Sequence, residues 1–186
     1  MAALAPPFGW IGGKTFMLRH LLPLIPAHRQ YVEPFFGSGR LFFAKEPALV
    51  ETINDLDGGV IGFFRALRDN PEEMERLASL TPYSREQYLE FRATWQQEED
   101  PTRRAWKWWV VANYARAGEF GGSWGYNVTT TARNRAAICD HVLTRIRRFA
   151  PIAERLRDVQ IECGPALKVI HAHARPDTLF YLDPPY

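Results

Sequence analysis

A short apolar run, Gln30–Pro34, reads as a strand entering Phe35-Phe36-Gly37-Ser38-Gly39, after which Arg40–Lys45 reads as the first turns of a helix. A second run, Val50–Asn54, ends at an acid, Asp55. Val60, Ile61, Phe63, Phe64 and Leu67 then recur as one face of a helix over Val60–Arg68. Strand, helix, strand, helix in this order predicts parallel strands joined by right-handed crossovers. Asn70-Pro71 interrupts the pattern, and helices are predicted over Pro71–Leu80, Ser84–Gln97 and Thr102–Ala115, with Ser84 and Gln87 at capping-box spacing. Between Gly118 and Asn134 the chain is rich in Gly, Thr, Asn and aromatics, which suggests a loop or hairpin. Ile138–Phe149 is helical again, and strands Val159–Glu162 and Thr178–Leu182 flank a helix over Pro165–His173. The organisation expected is an α/β domain formed by residues 1–70 and 151–186, interrupted by a helical insertion over 71–150.

Composition changes this picture in one place. The chain of 186 residues is 46% hydrophobic with a formal charge of only +2, yet residues 101–148 hold Arg103, Arg104, Lys107, Arg116, Arg133, Arg135, Arg145, Arg147 and Arg148 against Glu119 and Asp140, a local excess of +7. Such a segment suggests a polyanionic partner, or else a helical face solvated by arginines. Cys139 and Cys163 have neither the spacing of a disulfide framework nor nearby histidines for a zinc site, so no metal is expected. The N-terminus has no basic region followed by an apolar core, and no stretch of 18 apolar residues occurs, so a cytoplasmic protein without membrane contact is expected. Trp106 and Trp109 share helical spacing with Val110, which favours core packing over an exposed aromatic face, and His171 and His173 stand where cations complement a helix end.

Candidate chemistry lies at Asp183-Pro184-Pro185-Tyr186, directly after the last predicted strand. The exocyclic amine of adenine is not basic, because its lone pair is delocalised into the ring. A catalyst for its methylation must accept hydrogen bonds from the NH2 group and draw that lone pair out of plane. Asp183 offers a carboxylate, Pro184 a carbonyl on a fixed backbone, and Tyr186 a face for stacking. The plainer reading is a turn after a strand. The glycine loop is a weaker signal: a third glycine of the dinucleotide fingerprint would fall at Phe42, and no Gly-Lys-Ser/Thr follows, so a nucleoside without a pyrophosphate suits it better. Asp55 is placed to accept the ribose hydroxyls; as a helix cap, Asp57 is the better candidate.

Phe8-Gly9-Trp10-Ile11-Gly12-Gly13-Lys14, Glu33-Pro34-Phe35-Phe36-Gly37-Ser38-Gly39, Asn54-Asp55 and Asp183-Pro184-Pro185-Tyr186, in that order, resemble the D12 class of N6-adenine DNA methyltransferases, of the DNA adenine methylase type. The resemblance implies a Rossmann-like α/β sheet and S-adenosylmethionine as methyl donor. Trp10, Gly13 and Lys14 would lie with Glu33, Phe35, Phe36, Gly37, Ser38 and Gly39 around the methionine end, Asp55 on the ribose, Cys163 near the adenine ring and Asp183 at both cofactor and target. It also implies catalysis at Asp183, Pro184, Pro185 and Tyr186, on an adenine flipped out of double-stranded DNA. The insertion would recognise DNA, through Arg103, Arg104, Arg116, Trp124, Tyr126, Asn127 and Arg133; its glycine-rich stretch departs from the family, so no target sequence carries over. Family members continue past the Asp-Pro-Pro-Tyr motif, so the chain is expected to be a fragment, its sheet incomplete at the C-terminus and its activity alone small. An RNA or protein-glutamine N-methyltransferase, or a non-catalytic DNA-binding fragment, would use parts of the same pattern.

Overall fold

A computed structural model describes residues 4–10 and 12–185. Strands β1 (Gln30–Glu33), β2 (Val50–Asp55), β5 (Val159–Cys163) and β6 (Thr178–Phe180) form a parallel sheet in the order β5-β2-β1-β6. The expected α/β class is therefore observed, with a single-turn helix, α1 (Leu18–Leu21), ahead of the sheet. Each strand is short and apolar on its central positions, and Tyr31, Val32 and Ile53 are fully buried, as strands covered on both faces require. The chain steps outward from β1 through β2 to β5 and then reverses to place β6 on the other side of β1. With right-handed connections, that reversal puts α8 (Ala166–His173) on the face opposite α2 (Gly58–Asp69) and makes the ends of β1 and β6 a topological switch point.

Helix α2 starts where expected, because the Asp57 carboxylate accepts from the amides of Gly59 (2.7 Å) and Val60 (3.4 Å). Helices α3 (Pro71–Leu80), α4 (Arg85–Thr94) and α5 (Pro101–Tyr114) follow the predicted spans closely, and Ser84 caps α4 by accepting from the Gln87 amide. Trp109 and Val110 are buried, as the spacing implied, whereas Trp106 is half-buried and Trp108 is buried as well; helix α5 packs along α2 in one core with Phe63, Phe64 and Phe149.

Two predicted elements differ. Arg40–Lys45 forms irregular turns instead of a helix: Leu41, Phe42 and Phe43 are all buried, leaving no solvent face for a regular amphipathic helix, and Lys45 is drawn to Glu51 on β2. The helix predicted over Ile138–Phe149 is two helices, α6 (Ala137–Ile146) and α7 (Phe149–Leu156), which break at Arg147–Arg148 where the Arg148 guanidinium donates to the Pro6 carbonyl (2.8 Å). Pro151 reads as a helix breaker, but it sits in the first turn of α7, where its missing N–H costs nothing. The loop between α5 and α6 contains a two-residue hairpin, β3 (Thr131–Ala132) and β4 (Arg135–Ala136), turned by Arg133 and Asn134, both at positive φ.

No helix among the described residues is long and apolar enough to cross a membrane.

Candidate active site

Three adjacent parallel strands end in acids: β6 leads to Asp183, β1 ends at Glu33 and β2 at Asp55. All three line one cleft of about 450 Å³ at the switch point, together with Trp10, Gly13 and Lys14 from the N-terminal segment and Phe35, Phe36, Gly37 and Ser38 from the glycine loop. Pro184 and Pro185 stand exposed at its edge, and Tyr186 lies outside the described residues.

The glycine loop is built for close approach. Gly37 adopts φ 49°, and a Cβ there would stand 2.9 Å from the Trp10 indole; Gly39 adopts φ 68°, and a Cβ would meet the Phe36 ring at 2.4 Å. The Gly37 amide donates to Asp55 Oδ2 (2.7 Å) and the Asp57 amide to Asp55 Oδ1 (3.0 Å), so one carboxylate ties the loop to the start of α2. Beneath it the fully buried Asn54 donates through Nδ2 to the carbonyls of Pro34 (2.9 Å) and Gly164 (3.0 Å), joining the ends of β1 and β5. The sequence motif Asn54-Asp55 carries no role for Asn54 by itself; its place beside Asp55 at the strand end is the signal that marks it.

Lys14 brings the first and last motifs together. Its Nζ lies 2.9 Å from Asp183 Oδ1 and donates to the Gly12 carbonyl (3.0 Å). The Tyr181 hydroxyl donates to Asp183 Oδ2 at 3.5 Å, a long bond, and burial together with Asp183 and Glu33 pushes its own ionisation up to about 12. Glu33 is buried, accepts from the Tyr31 hydroxyl (2.8 Å), and is pushed up to about 8 by burial; Asp183 and Glu51 add to the rise, and Tyr31 and Lys45 oppose it. Tyr181 was not among the expected site residues, although its place two positions before Asp183 on the same strand end was a readable cue. Arg40 also lines the cleft, its guanidinium held below the usual arginine range by burial.

Not every expected residue reaches the cleft. Gly39 is buried behind the loop, and Cys163 lines a separate groove beside Gly58, Gly59 and Gly62, leaving Gly164 and Ala166 as the cleft residues of that turn. His173 has plain structural work, bonding Glu162 (2.7 Å) and Gln30 (3.0 Å), and His171 is exposed on α8 away from the cleft lining.

The basic segment is less open than its charge count suggests. Glu98, just ahead of it, pairs with Lys107 (2.7 Å), and Arg104 donates to the carbonyls of Glu98 (2.6 Å) and Glu99 (3.4 Å). Arg145 turns inward to Asn113 (2.6 Å), and burial lowers it to about 10. Arg133 pairs with Asp140 (2.9 Å), and Asn127 Oδ1 accepts from the Ile138 amide (2.7 Å) at the start of α6. Arg103 and Arg116 are exposed. An antiparallel bridge between Ala115 and Trp124 closes the loop that carries Arg116, and a Cβ at Gly118 would touch the Gly9 backbone, so this loop sits against the segment bearing Trp10.

The chain is 25% identical over 183 residues to a DNA adenine methylase of Vibrio cholerae, an alignment that takes in 95% of this chain and 63% of the relative. It is 27% identical to the DNA N-6-adenine-methyltransferase of Escherichia phage P1 over 96% of its own length and 24% of the relative. Over 89 residues, 47% of the chain and 30% of the relative, it is 38% identical to the type II methyltransferase M1.LlaDCHI of Lactococcus lactis subsp. cremoris. The chain thus spans less than two thirds of each of these relatives. The family match begins at Trp10 and runs through residue 186, taking in every strand end that lines the cleft, and on it the chain belongs to the D12 class N6 adenine-specific DNA methyltransferases.

Proposed function

We propose that this protein transfers a methyl group from S-adenosylmethionine to N6 of an adenine turned out of double-stranded DNA. The observation that carries the reading is the meeting of Lys14 and Asp183 in a cleft floored by the glycine loop and Asp55, with Pro184 and Pro185 at its edge. The cleft suits the cofactor: its volume is that of a small-molecule site, a Cβ on Gly37 would fill the space beside Trp10, and the acids Asp55 and Asp183 match a ligand carrying a sulfonium and an ammonium. S-adenosylmethionine would supply an electrophilic methyl group. Trp10, Gly13, Lys14, Glu33, Phe35, Phe36, Gly37 and Ser38 would surround its methionine end, Asp55 would accept from the ribose, and Cys163 or its neighbour Gly164 would border the adenine ring.

The chain's own part is positioning. Asp183 and the Pro184 carbonyl accept hydrogen bonds from the target amine, Tyr186 stacks on the flipped base, and Pro185 stiffens the turn; flipping costs a few kcal/mol, which stacking and edge bonds offset. Orientation and electrostatic placement then lower the barrier without a covalent intermediate. Residues 71–150 would form the target-recognition part, with Arg103, Arg104, Arg116, Trp124, Tyr126, Asn127 and Arg133 facing or framing the DNA. Tritium transfer from labelled S-adenosylmethionine, with duplex DNA, RNA and protein offered side by side, tests this. Label is expected as N6-methyladenine in DNA, and label confined to RNA or to protein glutamine would overturn it.

The Asp55 carboxylate should matter twice, as ribose acceptor and as the tie holding Gly37. Asp55→Ala is expected to weaken S-adenosylmethionine binding by about 10- to 100-fold, the loss of a hydrogen bond to a charged group. Asp55→Asn, which keeps one acceptor oxygen, should fall between the two. Unchanged affinity of Asp55→Ala in calorimetric titration would remove Asp55 from the site.

A further inference from the structure

Four aromatic rings follow one another from the core to the surface on the α4 side of the molecule. Tyr114 is 1% exposed and lies 4.3 Å from Tyr83; Tyr83 lies 5.6 Å from Trp124; Trp124 lies 5.6 Å from Tyr126 at an interplanar angle of 14°, and Tyr126 is 61% exposed. The Arg85 guanidinium, from the first turn of α4, lies 4.8 Å from the Trp124 ring and 5.9 Å from the Tyr126 ring. The column is held in place by its neighbours. The Tyr83 hydroxyl donates to the Gly125 carbonyl (2.8 Å) and the Tyr88 hydroxyl to the Gly122 carbonyl (2.6 Å), so helix α4 and its approach fasten the loop that carries Trp124 and Tyr126.

We propose that the outer ring of this column, Tyr126, is a stacking platform for a nucleobase of bound DNA, and that Arg85 beside it meets a neighbouring phosphate. A nearly parallel pair of rings whose outer member faces solvent continues naturally with another flat, polarisable ring, and a base unstacked where the target adenine leaves the duplex offers such a face. The cation alongside suits a ligand that carries one phosphate per base. Preorganisation adds to the case, because a platform already fastened through Tyr83 and Tyr88 loses little side-chain freedom on binding. Trp124 then acts from within the column, and Arg85, which lies outside the basic segment, joins the DNA-facing surface. This inference rests on the reading of the protein as a DNA methyltransferase.

The test is fluorescence anisotropy of a labelled duplex titrated with the 186-residue chain and its variants over a range of salt. Tyr126→Leu is expected to weaken binding on the order of tenfold without changing the salt slope, and Tyr126→Phe to bind like wild type, because the ring and not the hydroxyl does the stacking. Arg85→Ala is expected to reduce the slope of log K against log salt by about 0.9. Wild-type affinity in Tyr126→Leu, equal weakening in Tyr126→Phe, or an unchanged slope in Arg85→Ala would each overturn the proposal. Loss of self-association in Tyr126→Leu with unchanged DNA affinity would assign the ring to a second copy of the chain instead. Failure of the wild type to bind duplex DNA would overturn the DNA reading itself and this inference with it.

Discussion

Methyl transfer to duplex DNA is expected to fall by orders of magnitude in an Asp183→Ala variant, while affinity for S-adenosylmethionine changes far less. The carboxylate is pinned on both oxygens, by Lys14 at 2.9 Å and by the Tyr181 hydroxyl at 3.5 Å, yet a carboxylate has about four lone-pair sites and so keeps capacity to accept from an amine. Its demand rises along the reaction: the adenine amine is an ordinary donor while its lone pair belongs to the ring, and becomes a much stronger one as positive charge builds on nitrogen. An interaction that strengthens toward the transition state shows in kcat rather than in binding. Asp183→Asn should be nearly as inactive, because half of its amide presents donors where acceptors are required. The measurements are single-turnover methylation of duplex DNA and calorimetric titration of the cofactor on the same variants. Near-normal turnover in Asp183→Ala, or losses of equal size in binding and turnover, would sink the assignment.

The second large effect concerns stability and pH. Glu33 is buried and its carboxyl is raised from an ordinary 4.5 to about 8, so between these values the folded chain holds a proton that the unfolded chain has released. Stability from this group is therefore complete below about pH 4.5, declines as pH rises, and stops declining above about pH 8, where Glu33 is ionised in both states. Glu33→Gln removes the titration and keeps an oxygen to accept from Tyr31. Relative to wild type, the variant should gain stability steadily across that window, by an order of a few kcal/mol at its upper end. Urea denaturation of both proteins at several pH values measures the difference, and parallel stability curves would show that Glu33 is ionised at neutral pH after all.

Much of the scaffold was legible because local signals were strong. Asn70-Pro71 opens α3, Asp57 and Ser84 cap α2 and α4, and the short runs at 30–34 and 50–54, each followed by a turn, form buried strands. Misreadings arose where tertiary packing overrode pattern. Leu41, Phe42 and Phe43 are consumed by the core on every side, so that segment forms turns, while the helix predicted over Ile138–Phe149 forms but ends at Ile146, where Arg148 reaches across to Pro6. The cleft residues were legible as motifs, but their mutual contacts were not: nothing in the spacing of residues 14 and 183 says that they form an ion pair. The charge count over 101–148 leaves out Glu98, Glu99 and Asp100 just ahead of it, whose side chains and carbonyls hold Lys107, Arg104 and the start of α5.

The sheet order has a consequence for synthesis. Strand β1 emerges early and pairs with β2 on one edge, but its other edge waits for β6, and the acid that follows β6 waits with it. A ribosome-bound chain can therefore fold the glycine loop, Asp55 and the aromatic core long before Lys14 meets Asp183. The glycine-loop side of the cleft can thus precede the Asp183 side in time, and a nascent chain stalled before residue 178 would carry one wall of the cleft without the other.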